Sequence, residues 1–316
     1  MGATGARGLA AAVGAVLLLI ASAATLQGMR ETRYPTAAAV AEDNLYVTSG
    51  STARRLSFGF NALAADLYWI RAIQYYGGTK LKLASPEGQA APVSAEGVIK
   101  AYPLLYPMLD LTTTLDPKFN IAYRFGAIFL AEPYPGGAGR PDLAIALLEK
   151  GLKASADKWE YMQDAGFVHY WWRQDYKAAA EWFDRASRVP GAPWWLRSLA
   201  ANTLTEGGDR RSSRLMWETI RESAEVDWLK KDAERRLTQL QALDQIDTLQ
   251  RTLEQAAARG LALNWPALTR ARVFPGIPVD PTGVPYEITD TGRVQLSTKS
   301  TLYPPPREPR QLGPAS

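Results

Sequence analysis

The spacing of apolar residues is the feature that most constrains the fold of this chain. Between residues 56 and 260, apolar positions recur every three to four residues, and the alternating β-branched runs typical of strands are nearly absent. This period places the apolar side chains on one face of a helix. The sequence therefore predicts an all-α body.

Clusters of proline and glycine interrupt this pattern and are expected to end helices. The clusters are Gly77 and Gly78, Asp116 and Pro117, Glu132 to Gly139, Pro190 to Pro193, and Gly207 and Gly208. With these breaks we predict helices at 58–76, 94–115, 118–131, 141–155, 158–173, 176–188, 194–205, 209–223 and 227–258.

Small residues recur at fixed places in consecutive helices. Three helices carry a small, large, small series, which is Ala144, Leu148 and Gly151, then Ala179, Phe183 and Ala186, then Ser213, Trp217 and Ile220. The helix before each has a small residue near its middle, namely Gly126, Gly166 and Ala201. Two antiparallel helices approach closely only where a small residue faces a large one. The pattern indicates helical hairpins stacked on their neighbours.

On these residues, the stretch 118–223 resembles three tetratricopeptide repeats. The second repeat matches best, through Gly166, Ala179, Phe183, Ala186 and Pro190. The first repeat departs from the pattern by an insertion, Glu132–Arg140, and the third has Ser213 and Ile220 in place of the two alanines. The resemblance implies a right-handed superhelix of antiparallel helix pairs, with the helix from 227 as its cap.

A longer block, SFGFNALAADLYWIRAIQYYGG followed by LTTTLDPKFNIAYRFGA, resembles an uncharacterised bacterial group of membrane-anchored repeat proteins. That resemblance implies no function. Tetratricopeptide repeats bind peptides mainly with first-helix residues, and carrying this rule over gives Asn120, Tyr123, Ala127, Phe167, Tyr170, Trp195, Ser198 and Asn202. Amide and phenol groups can hold an extended backbone, which selects as groove residues Asn120, Tyr123, Tyr170 and Asn202.

The N-terminal region contains an uncharged apolar stretch at residues 9–26, which predicts a signal peptide or a transmembrane helix. The apolar run continues past the possible cleavage site at residues 21–23. We therefore expect an uncleaved single-pass membrane anchor at the bacterial cell envelope. The body is expected to be periplasmic or extracytoplasmic.

The remaining regions divide the chain into four parts. Residues 1–34 form the anchor or signal segment and residues 35–260 the helical-repeat domain. Within 261–302, alternation on either side of the turn Asp290, Thr291 and Gly292 predicts one β-hairpin. Residues 303–316 are rich in proline and predict a disordered tail.

Composition limits the possible chemistry. The chain has no cysteine and one histidine, His169, which excludes thiol chemistry, disulfides and His-rich metal sites. Its net charge is +4, but basic and acidic residues are interspersed, so a nucleic-acid partner is not expected. The glycines of residues 136–139 lack the lysine that a phosphate-binding loop requires, so no nucleotide is expected either. We predict no cofactor, no metal and no catalytic residue.

Charged residues within one apolar helix need partners. Asp66 and Arg71 lie five residues apart, about 140° around a helix, so each is expected to meet a different partner in a structural ion pair.

Tryptophans are concentrated in one region. Eight of the ten lie between residues 159 and 228, and most are expected in the core. An exposed remainder would anchor a partner peptide, a glycan or the interfacial zone of a bilayer.

Three functions from different classes remain open. The leading hypothesis is a non-enzymatic, membrane-tethered scaffold or adaptor that binds a protein segment in the repeat groove. A structural subunit of a secretion or envelope assembly is the second. The third is a helical enzyme acting on a polysaccharide, which needs two carboxyl groups about 5–10 Å apart; candidates are Glu160, Asp164 and Asp175.

Overall fold

The structure, a computed structural model, describes residues 3–33, 45, 47–85 and 102–309, with the side chains of its first helix described at 14–29 and 33. Two compact units are present, residues 1–46 and residues 47–316. The described chain is mostly helical, with a two-stranded sheet near its C-terminal end. The prediction of a mostly helical chain with one small hairpin is confirmed.

The first three helices are α1 (Ala3–Arg33), α2 (Gly50–Leu56) and α3 (Asn61–Ala84). The next six are α4 (Leu105–Leu115), α5 (Asn120–Ala131), α6 (Pro141–Ala154), α7 (Trp159–Val168), α8 (Tyr176–Ser187) and α9 (Trp195–Glu206). The last elements are α10 (Arg210–Ser223), α11 (Asp227–Ala258), α12 (Trp265–Arg270), β1 (Glu287–Ile288) and β2 (Val294–Gln295). A π-helical turn, His169–Arg173, continues α7. Of the helix predicted at 94–115, residues 94–101 lie outside the described residues.

Helix α1 contradicts the predicted membrane anchor at residues 9–26. In the described part of the chain, no helix has an apolar stretch long enough to cross a membrane. The side chains described at residues 14–29 of this helix are exposed. Within that stretch, Ser22 and Thr25 donate hydroxyl hydrogen bonds to carbonyls one turn earlier. The prediction of a single-pass anchor at residues 9–26 is therefore wrong.

Short polar side chains begin several helices at the predicted breaks. The Asp175 carboxylate accepts a hydrogen bond from the Ala178 amide at the start of α8. Asp209 caps α10 in the same way, through the amide of Ser212. Each cap satisfies one of the amides that have no partner within the first turn. These caps fix the places where the chain reverses between consecutive helices.

From α3 to α11, each helix packs against the next along the chain. Small residues allow the closest approaches between them. A Cβ at Gly126 in α5 would lie 2.9 Å from a Leu109 methyl group in α4, and a Cβ at Gly151 in α6 would lie 2.9 Å from the Tyr161 ring in α7. At Gly166 in α7, a Cβ would collide with the Phe183 ring of α8. The small residues identified in the sequence are therefore the contact points between helices.

Helix α3 does not end at Gly77 and Gly78, where the sequence predicts a break. It continues to Ala84, and contacts on both sides of the glycines hold it to the loop after α5. Tyr76 donates a hydrogen bond to the Glu132 carboxylate (2.7 Å), and Lys80 reaches the same carboxylate at 3.3 Å. Each helical glycine costs about 1 kcal/mol relative to alanine, and these contacts with the loop after α5 offset that cost.

The long helix α11 has a separate apolar cluster on each side. Toward α10, Leu240 and Leu243 share a core with Trp217. Toward the C-terminal segment, Leu253 and Ala256 share a core with Trp265, Tyr286 and other residues of 265–302. Helix α11 is thus covered on two sides, and the C-terminal segment forms an extra layer beyond the predicted cap.

The predicted hairpin is present. Strands β1 and β2 pair antiparallel, with Glu287 opposite Gln295 and Ile288 opposite Val294. The turn between them contains Gly292 at a positive φ of 75°. Three side chains tie the segment to the helical layer: Trp265 donates to the Tyr286 carbonyl (2.7 Å), the Tyr286 hydroxyl donates to Gln245 (2.7 Å), and Gln250 accepts from the Val294 amide (2.9 Å).

Residues 303–309, in the segment predicted to be a disordered tail, lie against the helices. The Arg210 guanidinium donates to the Glu308 carboxylate (2.6 Å) and also to Asp247 (2.6 Å) and Asp244 (3.0 Å). The Gln239 amide donates to the Pro304 carbonyl (2.9 Å). A proline has no backbone N–H to donate. This segment is therefore held to the helices by hydrogen bonds that side chains of α10 and α11 donate. Residues 310–316 lie outside the described residues.

Asp280 organises the turn that precedes the hairpin. One carboxylate oxygen accepts from the amides of Thr282 (2.8 Å) and Val284 (3.1 Å), and the other accepts from the Ser300 hydroxyl. Burial alone raises the pKa of Asp280, but these hydrogen bonds outweigh burial and hold the pKa below its usual value. The ionised carboxylate is therefore the form that stabilises the fold.

Gly166→Ala should lower the free energy of unfolding by about 1–3 kcal/mol, because the added methyl group overpacks the contact with Phe183. Gly78→Ala is the matched control, since nothing lies within 4 Å of its Cβ position. It should be neutral or stabilising by up to about 1 kcal/mol. Urea titration followed by circular dichroism measures both. Equal effects of the two substitutions would contradict the close approach, and adding Phe183→Leu to Gly166→Ala should recover part of the loss.

Asp280→Asn should destabilise the chain at pH 7 by about 1–3 kcal/mol, because an amide cannot accept all of these hydrogen bonds. The folded pKa is depressed, so the carboxylate's contribution is complete above about pH 5 and is lost as the pH falls through the folded pKa. Chemical denaturation of both proteins between pH 7 and pH 3 should show the difference shrinking toward low pH. A difference that is constant over this range would contradict the assignment.

Candidate functional site

The structure separates the four predicted groove residues. Tyr123 is fully buried, and its ring packs 5.1 Å from that of Tyr161, so it belongs to the core and lines no groove. Asn120 begins α5 half-buried, and its side-chain oxygen is buried with no hydrogen-bond partner among the described residues. Tyr170 and Asn202 are also half-buried. The Tyr123 side chain therefore packs in the core and is not accessible to a bound peptide.

Tyr170 is linked to α9, the helix that also carries Asn202. The Tyr170 hydroxyl donates to the Glu206 carboxylate, which links the π-helical turn to α9. Burial and this hydrogen bond raise the pKa of Tyr170 to about 12. Asn202 precedes Glu206 by one turn on the same face of α9. Of the predicted groove residues, Tyr170 therefore reaches the helix that carries Asn202, and Asn120 begins a different helix, α5.

An ion pair links α5 and α7, which are the first helices of two consecutive helix pairs. Arg124 in α5 binds Asp164 in α7 through two hydrogen bonds, of 2.6 and 3.1 Å. Burial raises the pKa of Asp164, although Arg124 acts in the opposite direction. Both side chains are partly buried, and the bidentate hydrogen bonds between them fix the spacing of α5 and α7. The carboxylate is held by this cation and is structural.

The other acidic candidates for polysaccharide chemistry are also engaged locally. Glu160 lies 4.0 Å from Lys158, and Asp175 caps α8. His169 has its Nδ1 atom 3.8 Å from Asp175. Burial and the nearby Arg173 lower the pKa of His169, so its ring is neutral at pH 7. Glu160 and Asp164 lie one turn apart on α7, and each of the three carboxylates has a local partner.

Of the eight tryptophans in the region 159–228, only Trp217 is fully buried, so the expectation that most of them lie in the core is wrong. Trp217 is fully buried, whereas Trp171, Trp194 and Trp228 are 63%, 60% and 53% exposed. Two of the exposed residues meet: the rings of Trp194 and Trp228 lie 4.8 Å apart, edge to face at 74°. An exposed aromatic pair of this kind leaves a large apolar area in water.

The pair lines a cleft between α9, α10 and the start of α11. We call it the tryptophan cleft; its volume is about 460 Å³, and its walls include Trp194, Arg197, Ser198, Ile220, Glu225, Val226 and Trp228. Trp194 immediately precedes α9, and Trp228 lies in the first turn of α11. The turn at residues 224–226 brings these two helix ends together. The site is therefore built by the reversal of the chain between α10 and α11.

Polar groups of both signs border the apolar part of the cleft. Arg197 is half-buried and donates to the Ser223 hydroxyl at 3.4 Å, while Glu225 is exposed. Ser198, which the first-helix rule selects, also lines the cleft. Sequence reasoning missed Arg197 and Glu225, because neither belongs to a repeat position. The signal that pointed toward the site was the cluster of tryptophans.

Comparison of the chain with protein-family models, with curated proteins and with solved structures found no match.

Trp194→Ala and Trp228→Ala should each change the free energy of unfolding by less than about 1 kcal/mol, because more than half of each side chain is already exposed. Trp217→Ala is the matched control and should cost about 3–5 kcal/mol. Thermal and urea denaturation of the three variants test this division. A loss at Trp228 as large as that at Trp217 would place Trp228 in the core and remove the cleft.

Proposed function

We propose that this chain is a tetratricopeptide-like scaffold or adaptor whose tryptophan cleft binds a segment of a partner protein. The helix pairs are proposed to continue as a right-handed superhelix, which the small-to-large contacts from Gly126 to Ala201 favour. The observation that carries the function is the exposed Trp194–Trp228 pair beside Arg197. Large aromatic residues and arginine are the side chains that contribute most to binding energy at interfaces.

The lining of the cleft indicates the chemistry of the segment. Its apolar wall, which includes Ile220 and Val226, favours a bulky apolar or aromatic side chain. Arg197 at the border favours a neighbouring carboxylate, through a charge-assisted hydrogen bond. A segment with an apolar anchor next to an acidic residue fits both requirements.

A peptide fits this arrangement better than a glycan does. Sugars stack on open, flat faces of aromatic rings, and the two rings here meet edge to face at 74°, so the edge of one covers part of the face of the other. An apolar side chain needs no such open face and can insert between the ring and the aliphatic wall. Partner capture therefore agrees with the geometry more closely than polysaccharide binding.

The test begins with selection of binding peptides from a displayed random library against the purified chain, followed by titration of the best synthetic peptide. Trp228→Ala and Trp194→Ala should each weaken the dissociation constant at least about 10-fold, since central aromatic residues contribute 2 kcal/mol or more. Trp171→Ala is the matched control, because Trp171 is equally exposed on the π-helical turn and does not line the cleft.

Selected peptides should also carry an acidic residue whose replacement weakens binding to the native chain but not to Arg197→Ala. Peptides whose affinity is unchanged by Trp194→Ala and Trp228→Ala, or is reduced equally by Trp171→Ala, would reject the cleft. Binding of an oligosaccharide probe in place of peptides would favour the glycan alternative.

A further inference from the structure

Residues 301–309, which we call the docked segment, are held on the helices through carbonyl and carboxylate groups. The Gln239 side chain donates to the carbonyls of Leu302 (2.7 Å) and Pro304 (2.9 Å). Arg210 binds both oxygens of the Glu308 carboxylate. Within 304–309, no backbone amide donates a hydrogen bond to any residue that the structure describes. The helices therefore recognise this part of the segment without using its backbone N–H groups.

This mode of recognition is compatible with proline. Pro304, Pro305, Pro306 and Pro309 are four of the seven residues at 303–309. A proline lacks the backbone N–H but keeps its carbonyl oxygen as an acceptor. A proline-rich chain is also stiff before it binds, so little conformational entropy is lost on docking.

The docked segment runs extended along α11. Gln239 binds Pro304, and Arg210, which binds Glu308, also contacts Asp247. From residue 239 to residue 247, α11 rises about 12 Å. Four residues of polyproline II chain, from 304 to 308, also cover about 12 Å. The spacing of the two contacts thus matches an extended proline-rich chain.

Arg210 keeps partners when Glu308 is absent. Its guanidinium also donates to Asp247 (2.6 Å) and Asp244 (3.0 Å), which both belong to α11. Only 16% of the Arg210 side chain is exposed, and an unpaired cation at such a position would be costly. Departure of Glu308 leaves two carboxylates on Arg210, so the position for an incoming carboxylate stays formed.

Gln239 is oriented in the same way by a contact outside the segment. It is fully buried, and its side-chain oxygen accepts from Arg236 at 3.3 Å. This contact directs the NH₂ group, with its two donors, toward two carbonyls of the segment. Arg235 donates to two more carbonyls, those of residues 301 and 303, each at 3.3 Å. We call Arg210, Arg235 and Gln239 the segment groove.

The docked segment does not fill the space beside Arg210. A cavity of about 550 Å³ lies there, and its walls include Gly208, Arg211 and Asp247 as well as Glu308 and Pro309. A Cβ at Gly208 would lie 3.7 Å from Pro309, which is an ordinary contact distance. A segment with larger side chains beside its glutamate therefore fits the same groove.

We infer that the segment groove is a second protein-binding site, which takes an extended, proline-containing segment with a glutamate from a partner protein. The chain's own docked segment occupies the groove and shows the chemistry of the ligand. The two carbonyls that Gln239 binds precede the glutamate by six and four residues. A partner must present the same pattern and displace the docked segment, whose effective concentration is in the millimolar range because it belongs to the same chain. The site is thus self-inhibited.

The test uses a capped, fluorescent heptapeptide with the sequence of residues 303–309, whose acetyl cap supplies a carbonyl in place of that of Leu302. In the full chain, Glu308→Lys removes the carboxylate of the docked segment and leaves the groove intact. Fluorescence anisotropy should show that the heptapeptide binds Glu308→Lys at least about 10-fold more tightly than it binds the native chain. Arg307→Gln is the matched control, since Arg307 is exposed beside Glu308 in the same segment, and it should bind the heptapeptide like the native chain.

Specificity is measured on the Glu308→Lys chain. A heptapeptide with glutamine in place of its glutamate should bind at least about 10-fold more weakly, because the bidentate charge-assisted contact with Arg210 is lost. Adding Gln239→Leu should also weaken binding of the original heptapeptide, since two donors are removed. The comparison of the two peptides needs no further change in the protein, so it stands even if Gln239→Leu unfolds. Adding Trp228→Ala should change nothing, which separates this site from the tryptophan cleft.

Four results would overturn the inference. Absence of binding to Glu308→Lys at millimolar heptapeptide would show that the docked segment is a fixed part of the fold. Equal affinities for the native and Glu308→Lys chains would show that the docked segment does not compete. Equal affinities of the two peptides would remove the role of Arg210. A native dimer in sedimentation velocity that becomes monomeric in Glu308→Lys would make a second copy of this chain, rather than another protein, the occupant.

Discussion

Close approach between consecutive helices is the constraint on which the rest of the structure depends. A glycine or alanine in one helix receives a large side chain from the next, as Gly126 receives Leu109, Gly151 receives Tyr161 and Gly166 receives Phe183. Interiors packed in this way tolerate little added volume. The relative positions of α4 to α8 follow from these contacts, and the ion pair between Arg124 and Asp164 adds a polar link between alternate helices.

The proposed binding site lies where this packing pattern changes. In the last pair, Ala201 and Trp217 remain buried together, but the chain then turns into the long helix α11, and Trp194 and Trp228 are left at the surface. The C-terminal layer covers a different part of α11 through Tyr286, so the exposed pair stays open to a partner. At the other end of the array, α3 buries its alanines and leaves its apolar stripe in water. Exposed apolar side chains thus lie at helices where pairing with a neighbour covers only one side.

Much of the fold could be predicted from the sequence, because helix periodicity, capping residues and small packing residues act locally. The hairpin around Gly292 follows from turn chemistry in the same way. Contacts between distant residues could not be predicted: Glu132 holds α3 on both sides of Gly77 and Gly78, through Tyr76 and Lys80, and Tyr123 packs on Tyr161 in the core. The membrane anchor was predicted from apolar composition at 9–26, but none of the helices in the described residues is long and apolar enough to cross a membrane. Of the candidate site, the tryptophan cluster was visible in the sequence, but Arg197 and Glu225 reach the cleft only through the turn between α10 and α11.

The central claim is that a partner segment binds where the packing leaves tryptophans exposed, rather than along the first helices of the pairs. Hydrogen exchange of the backbone amides, measured by mass spectrometry with and without a saturating selected peptide, tests this most directly. The account predicts new protection at residues 194–198 and 223–229, with little change elsewhere in α4 to α8. Protection confined to residues 120–127 and 167–171, or no protection at all, would contradict it.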